Sequence, residues 1–213
     1  MFENLRADLA RFPGGGWRSL RLALESPGFY AAALYRARRH VHTKLPRPVS
    51  LLVKLPLEPL ARVASWALGV AIAPGARIGP GLYIGHWGGI RVGPSVVMGA
   101  DCNLSPGVIL GVGMRDGLRG EPTLGDRVYV APGAKVFGPI SIGSDVAIGA
   151  NAVVCRDVPD HVSVGGIPAR VISRKGSAAY LQPERLPAAR AAKNEVRVER
   201  RPSRNAVRTT ELR

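Results

Sequence analysis

The dominant pattern along the chain is a small aliphatic residue that returns every six positions. The first run begins at Ile72 and ends at Val108, and the second begins at Leu124 and ends at Val154. Gly or Ala often follows the aliphatic residue. An α-helix repeats its apolar positions about every 3.6 residues and a strand about every 2 residues, so neither explains this spacing. A fixed short period is typical of a solenoid.

Three such hexads predict one coil of a prism built from short parallel strands, with every sixth side chain pointing inward. On this count the inward ladder runs through Ile72, Ile90, Val108, Val136 and Val154. Cys102 also takes an inward position, so we expect a small apolar core residue and no disulfide. A β-sandwich is disfavoured because it needs period-two alternation and longer strands.

The repeats divide the chain into three parts. Residues 1–70 are predicted to form a helical segment that caps the first coil, and residues 71–172 the solenoid. Residues 173–213 are rich in Ala, Arg, Pro, Ser and Glu, and we expect a basic, disordered tail. Residues 114–123 interrupt the hexads and are predicted to form an inserted loop.

Helical signals recur before the repeats. Ser26 followed by Pro27 predicts an N-cap and a first-turn proline. A later helix is predicted to begin at Pro59 and to end at Gly69 as a C-terminal cap. In the first twelve residues, one helical face carries the apolar side chains of Phe2, Leu5, Leu9 and Phe12.

The net charge of +15 is unevenly distributed. Residues 70–170 carry eight Lys/Arg against seven Asp/Glu, whereas residues 1–69 and 171–213 each carry eleven against four. Aromatic residues do not interleave the basic stretch 197–213, so we expect no nucleic-acid binding. Phosphates, an anionic membrane surface and plain solvation all remain as explanations of the basic ends.

The predicted location is cytoplasmic. The first residues do not read as a signal peptide, and charged residues and prolines interrupt the apolar stretch 49–73, which makes it a poor membrane span. A peripheral contact between the basic N-terminal helices and the inner face of the membrane is left open.

His86 is the residue of the repeats that best suits catalysis. It lies in Gly85-His86-Trp87-Gly88-Gly89, which the repeat pattern places at an edge of the prism. An imidazole can take a proton from a hydroxyl as that hydroxyl attacks a thioester. The alternative is a surface or subunit-contact histidine. With only four histidines in the chain, we expect no catalytic metal.

The repeats with their Gly-His-Trp-Gly-Gly segment, the ten-residue interruption and the Gly-Ile-Pro-Ala-Arg sequence of residues 166–170 resemble the hexapeptide-repeat acyltransferases. The resemblance is closest to the serine acetyltransferase branch. It implies a left-handed parallel β-helix and a homotrimer that can pair into a hexamer. It also implies acetyl-CoA as the acyl donor and active sites between neighbouring subunits.

The resemblance further implies roles for single residues. His86 matches the general base, and the turn at Gly111, Val112 and Gly113 would contact the thioester and stabilise the oxyanion. The CoA arm and its phosphates would meet Pro132, Ala150 and Arg170. The candidates for binding the acceptor are Trp87 and Glu121. Candidates for orienting the histidine are Glu121, Asp116 and Asp101, a backbone carbonyl, or a residue of the neighbouring subunit.

Three features of the serine acetyltransferases are missing. Ala71 stands where that branch has an aspartate that orients the histidine, and Gly85 where an aspartate helps to hold serine. Gly120-Glu121 replaces an Arg-His pair. Because an unpaired zwitterion costs several kcal/mol to desolvate, we expect the acceptor to be a sugar hydroxyl, on a polysaccharide or its precursor. Serine O-acetylation and a non-catalytic trimeric scaffold are the alternatives.

Overall fold

Four helices precede the repeats in the computed structural model, which describes residues 2–181. They are α1 (Phe2–Leu9), α2 (Gly16–Leu24), α3 (Pro27–Lys44) and α4 (Arg47–Leu68). α3 begins at Pro27 directly after Ser26, as predicted, because a proline at the first helical position loses no hydrogen bond. The predicted cap at Gly69 is confirmed by its left-handed φ of 62°.

The start predicted for the last helix is wrong. α4 begins at Arg47, and both Pro56 and Pro59 lie inside it. The two prolines are exposed, so water can solvate the carbonyl groups that lose their amide partners. Within residues 2–181, no helix is long and apolar enough to cross a bilayer.

Short strands follow the helices and form the three faces of a prism. Face 1 contains β1 (Val70–Ile72), β3 (Ile90–Val92), β6 (Ile109–Gly111), β11 (Lys135–Phe137) and β14 (Val153–Val154). Face 2 contains β2 (Arg77–Ile78), β4 (Val97–Met98), β9 (Thr123–Leu124) and β12 (Ser141–Ile142). Face 3 contains β5 (Asn103–Leu104), β10 (Tyr129–Val130), β13 (Ala147–Ile148) and β15 (Ser163–Gly166). All neighbours within these faces are parallel.

Two elements depart from the coil. The interruption of the repeats forms a hairpin of β7 (Gly113–Arg115) and β8 (Leu118–Gly120). After the last coil, β16 (Ala169–Ser173) turns back antiparallel to β15. The molecule is therefore a mixed helical and parallel-sheet protein, a parallel β-helix of five coils with helices before it.

The inward ladder differs from the predicted one in its register. Ile72 pairs with Val92, not with Ile90, and Val92 pairs in turn with Leu110. From there the ladder continues through Val136 and Val154 as predicted. The shift arises because the corner that carries His86 is two residues longer than the others. Ile90 is inward in both registers, so its apolar character did not reveal the shift.

The core is a column of aliphatic side chains inside the coils, capped at its open end by α3. Cys102 is fully buried in this column, as predicted. The hydroxyl of Tyr35 on α3 donates to the carbonyl of Ala76 at 2.8 Å. Gly28 lies so close to the carbonyl of Ile84 that a Cβ atom would overlap it. α3 is therefore fixed directly beneath the coil segment that leads to His86.

Candidate active site

The three edges of the prism separate the predicted site residues. We call the edge between faces 3 and 1 the histidine edge, because His86 lies in its first turn. Backbone hydrogen bonds stack its turns: the N–H of Gly107 donates to Gly88 at 2.8 Å, and that of Gly133 donates to Pro106 at 2.8 Å. Gly107 and Gly133 both have a φ of 73°, and a Cβ at Gly107 would lie 3.3 Å from Gly133. The close stacking therefore requires glycine.

His86 is exposed at the mouth of a cavity of about 380 Å³. Face 3 supplies the cavity wall, the turn after α1 supplies Arg11, and the segment after β16 supplies Tyr180. The polar lining consists of Arg11, Tyr83, His86, Asn103, Ser105, Tyr129 and Tyr180. An imidazole at the mouth of such a cavity can reach a hydroxyl bound inside it and accept its proton.

Arg11 is the charged group of this cavity, and the sequence analysis did not identify it. Its guanidinium is almost fully buried, with 1% of the residue exposed. It donates to the Asn103 side-chain oxygen at 2.7 Å and to the Asp101 carbonyl at 3.1 Å. It also lies 6.0 Å from the centre of the Tyr83 ring. The turn after α1 therefore brings a guanidinium, paired with Asp101, to the cavity.

The segment after β16 closes the cavity on one side. Tyr180 stacks on Tyr129 with the ring centres 4.9 Å apart. The segment is anchored by Ser177, whose N–H donates to the Asp145 carbonyl at 3.0 Å, and by Leu181, which is buried. The prediction of disorder from residue 173 does not describe this packed stretch. Residues 182–213 of the predicted tail lie outside the described residues.

The predicted CoA-binding positions lie on two different edges. Pro132 and Ala150 are exposed on the histidine edge, two and three turns beyond His86. Arg170 is exposed on β16, just past the last coil. Gly111 and Gly113, by contrast, end face 1 and begin the hairpin, at the edge between faces 1 and 2. One chain therefore does not bring the proposed oxyanion turn to His86.

Val112 and Glu121 belong to the same distant edge. Val112 is 45% exposed between β6 and β7. The Glu121 carboxylate accepts a hydrogen bond from the Ser95 N–H at 2.6 Å. Trp87, in contrast, is next to His86 and 53% exposed. Of the two predicted acceptor contacts, only Trp87 is on the histidine edge.

The three carboxylates considered as partners of His86 are engaged elsewhere. Asp101 is buried and lies 3.7 Å from the Arg11 guanidinium. Asp116, in the hairpin turn, lies 3.5 Å from Arg115, and Glu121 contacts Ser95. Ala71 faces outward on β1, beneath Arg91 of β3. The prediction that one of these carboxylates orients the imidazole is therefore still to be tested.

In residues 2–181, no group of three or more His, Cys, Asp or Glu side chains is arranged to hold a metal ion. The arrangement suits acyl transfer instead: an exposed imidazole, a stack of small residues beside it, and a polar cavity below. A parallel β-helix of hexads with this edge defines a hexapeptide-repeat acyltransferase.

Comparison with known proteins shows to which branch of these acyltransferases the chain belongs. No family model matches the chain. It is 46% identical over 174 residues to the serine acetyltransferase of Mycobacterium tuberculosis, covering 82% of this chain and 72% of the relative. It is 39% identical over 183 residues to that of Synechococcus elongatus, covering 83% and 70%.

Solved structures of serine acetyltransferases are also similar to this chain in fold. A serine acetyltransferase of Neisseria gonorrhoeae in complex with serine superposes with a TM-score of 0.65 and 31% identity, over 81% of this chain and 69% of that one. A serine acetyltransferase in complex with CoA gives a TM-score of 0.66 and 28% identity, over 79% and 68%. The chain belongs to the serine acetyltransferase family, and it is an acyltransferase of the O-acetyltransferase class.

This result overturns the prediction of a sugar acceptor. The relatives are serine acetyltransferases, and nothing in the comparisons supports a glycan acceptor or a role in polysaccharide synthesis. The prediction relied on the missing aspartates at Ala71 and Gly85 and on the missing Arg-His pair at Gly120-Glu121. It did not consider the turn after α1, which brings the guanidinium of Arg11 to the cavity from outside the repeats.

Proposed function

We propose that this protein transfers the acetyl group of acetyl-CoA to the hydroxyl of serine. Family membership supports serine as the acceptor, and the related structures with serine and with CoA support both substrates. The observation that carries the proposal is the exposed His86 at the mouth of a polar cavity, beside a column of small residues.

In this mechanism His86 accepts the proton of the serine hydroxyl while its oxygen attacks the thioester carbonyl. A carbon–oxygen bond forms, and the carbonyl oxygen becomes an oxyanion. Backbone N–H groups near Val112 stabilise that charge. Collapse of the intermediate breaks the carbon–sulfur bond, and the CoA thiolate leaves and takes the proton from the imidazolium.

Acceptor recognition would use the cavity lining instead of the family's usual charged positions. Serine carries a carboxylate and an ammonium, and each needs a polar partner once water is excluded. The Arg11 guanidinium, which also contacts Asp101 at 3.7 Å, would face the carboxylate. Asn103, Ser105 and the hydroxyls of Tyr83 and Tyr129 offer hydrogen-bonding groups for the rest.

The donor would lie along the histidine edge. The pantetheine arm is extended and carries amides, so a narrow wall of small residues such as Pro132 and Ala150 lets it approach the backbone. Arg170, exposed beyond the last turn of this edge, would meet the CoA phosphates.

We also propose a homotrimer with left-handed coils, as family membership implies. The separation of His86 from Gly111–Gly113 supports it, because a neighbouring copy can supply the turn that one chain holds at another edge. Pairing of trimers, the cytoplasmic location and a peripheral membrane contact stay predictions.

The test compares two histidines of the repeats. Thiol release from acetyl-CoA is followed with L-serine as acceptor. His86→Ala is expected to lower kcat/KM at least about a hundredfold. His161→Ala is the control, since His161 is exposed at another edge, 3.6 Å from Asp145, and should leave the rate unchanged.

Two results would contradict the proposal. Equal rates for both variants would remove His86 from the mechanism. Turnover with a sugar panel but not with L-serine would leave the fold intact and overturn the acceptor.

A further inference from the structure

A second cavity lies on the other side of the corner that carries His86. Its volume is about 460 Å³, and it lies between the C-terminal half of α4 and the first two strands of face 1. The residues used below are Arg38, Glu58, Arg62, Trp66, Ala71 and Arg91. His86 does not line it, so this cavity is separate from the proposed acceptor site.

The charges of this cavity are unbalanced. Glu58 uses both carboxylate oxygens on Arg38, at 2.6 and 3.2 Å, and also contacts His42 at 3.0 Å. That carboxylate is therefore already satisfied. In the described part of the chain, neither Arg62 nor Arg91 has a side-chain hydrogen bond or ion pair. Two guanidinium groups of like charge thus share one cleft without an acid to offset them.

The shape of the cavity indicates the kind of anion that fits. Ala71 and Gly89 carry little or no side chain, so the floor is open. Trp66 is 75% exposed on the wall and presents its indole. Guanidinium groups bind carboxylate and phosphate through paired, planar hydrogen bonds, and a flat ring can stack on the indole.

The cavity also adjoins the backbone that follows His86. A Cβ atom built on Gly69, at the cavity floor, would lie 3.1 Å from both Gly88 and Gly89. A ligand held here would therefore lie beside the segment that carries His86.

We propose that this cavity binds a small organic anion, a phosphate or carboxylate attached to a flat ring, with Arg62 and Arg91 as its cationic partners. The site does not depend on the identity of the acetyl acceptor. Its occupant would be distinct from both substrates of the proposed reaction.

The test is calorimetric binding to the full chain, with phenyl phosphate and benzoate as the two anionic probes and phenol as the neutral one. Saturable binding of either anion, with no binding of phenol, is expected. Arg62→Gln and Arg91→Gln should each weaken it at least about tenfold, the usual scale for a charge-assisted pair. Arg77→Gln is the matched control, an outward arginine on face 2, and should bind as the wild type does.

Three outcomes would overturn the proposal. Neither anion may bind. The Arg62 and Arg91 variants may bind as tightly as the Arg77 variant. Binding may instead be lost in Arg170→Gln, which would move the anion to the proposed donor site. Serine acetylation measured in the same variants keeps this result separate from that of the proposed function.

Discussion

A buried ion pair between Asp8 of α1 and Arg36 of α3 fastens both helices to the first coil. The guanidinium donates to the two carboxylate oxygens at 2.9 and 3.0 Å. The same carboxylate accepts the N–H groups of Gly81 and Leu82 at 2.9 and 2.8 Å. The side chains of the pair are only 1% and 3% exposed. Asp8→Ala therefore removes four hydrogen bonds at once.

The expected loss of stability follows from the groups that Asp8→Ala leaves without partners. Arg36 keeps its bonds to the carbonyls of Ile78 and Gly79, at 2.6 and 2.7 Å, but loses its counter-charge. Removing one partner of a buried pair costs about 3–5 kcal/mol. The two backbone N–H groups cost about 1–3 kcal/mol each if water does not replace the lost carboxylate as their acceptor. Since these costs overlap, we expect a total loss of about 3–5 kcal/mol in the free energy of unfolding.

Urea unfolding at pH 7, followed by the helical circular dichroism signal, measures this loss. Protein concentration is held fixed, because assembly adds to apparent stability. Glu25→Gln is the control. It breaks the Arg21–Glu25 pair, whose side chains are 75% and 59% exposed, and such a pair contributes about 0.5 kcal/mol or less.

Asp8→Ala should also weaken binding of the acceptor. Arg11 lies in the turn just after α1, where its N–H donates to the Asp8 carbonyl at 3.2 Å, so a loosened α1 withdraws the guanidinium from the His86 cavity. We expect the KM for the acceptor to rise more than the KM for acetyl-CoA. An Asp8→Ala protein within about 1 kcal/mol of wild type, as stable as the Glu25 control, would refute the claim that this pair holds the helix.

Three further predictions concern single residues. Burial raises the pKa of the Cys102 thiol to about 12, so a thiol reagent at pH 8 should label only the exposed cysteine until denaturant is added. Gly28→Ala should cost about 1–3 kcal/mol in thermal or urea unfolding, because its Cβ would overlap the Ile84 carbonyl. The hydrogen bond from Arg38 lowers the pKa of Glu58. The stability from this carboxylate is thus present above pH 4.5 and lost as the pH falls through the lowered pKa, a loss that Arg38→Gln should reduce.

Periodicity predicted the β-helix because every inward position needs a small aliphatic side chain, and the hexads report that need directly. Cys102 shows the same logic, since burial alone defines its place. The two-residue shift at the His86 corner was hidden, because Ile90 is apolar and inward in either register. A pattern of apolar residues cannot report which of two inward positions a residue fills.

For helix α1, in contrast, the pattern of apolar residues did not predict which side chains are buried. The sequence favours Phe2, Leu5 and Leu9 as its packed face, yet Phe2 is 71% exposed while Asp8, and Arg11 just after the helix, are buried. Charged side chains are buried only when partners satisfy them. The partners here are distant in sequence, at Arg36 and around Asn103. Local periodicity contains no information about them, and the Arg11 side of the cavity was missed for that reason.

The separation of His86 from the Gly111–Gly113 turn leads to a last prediction about assembly. The two lie at opposite ends of face 1, whose three-residue strands span about 10 Å, whereas an oxyanion donor must lie within about 3 Å of its charge. One chain therefore cannot supply both groups to one thioester, and neighbouring copies can.

Two variants separate these contributions. His86→Ala removes the base, and Val112→Pro removes a backbone donor from the turn. Each alone should be nearly inactive. Co-expressed in equal amounts, they should form mixed trimers in which about a quarter of the interfaces pair an intact histidine with an intact turn, so that about a quarter of the wild-type rate returns. Activity that stays at the level of the separate variants, in trimers shown by mass to be mixed, would place the whole site within one chain.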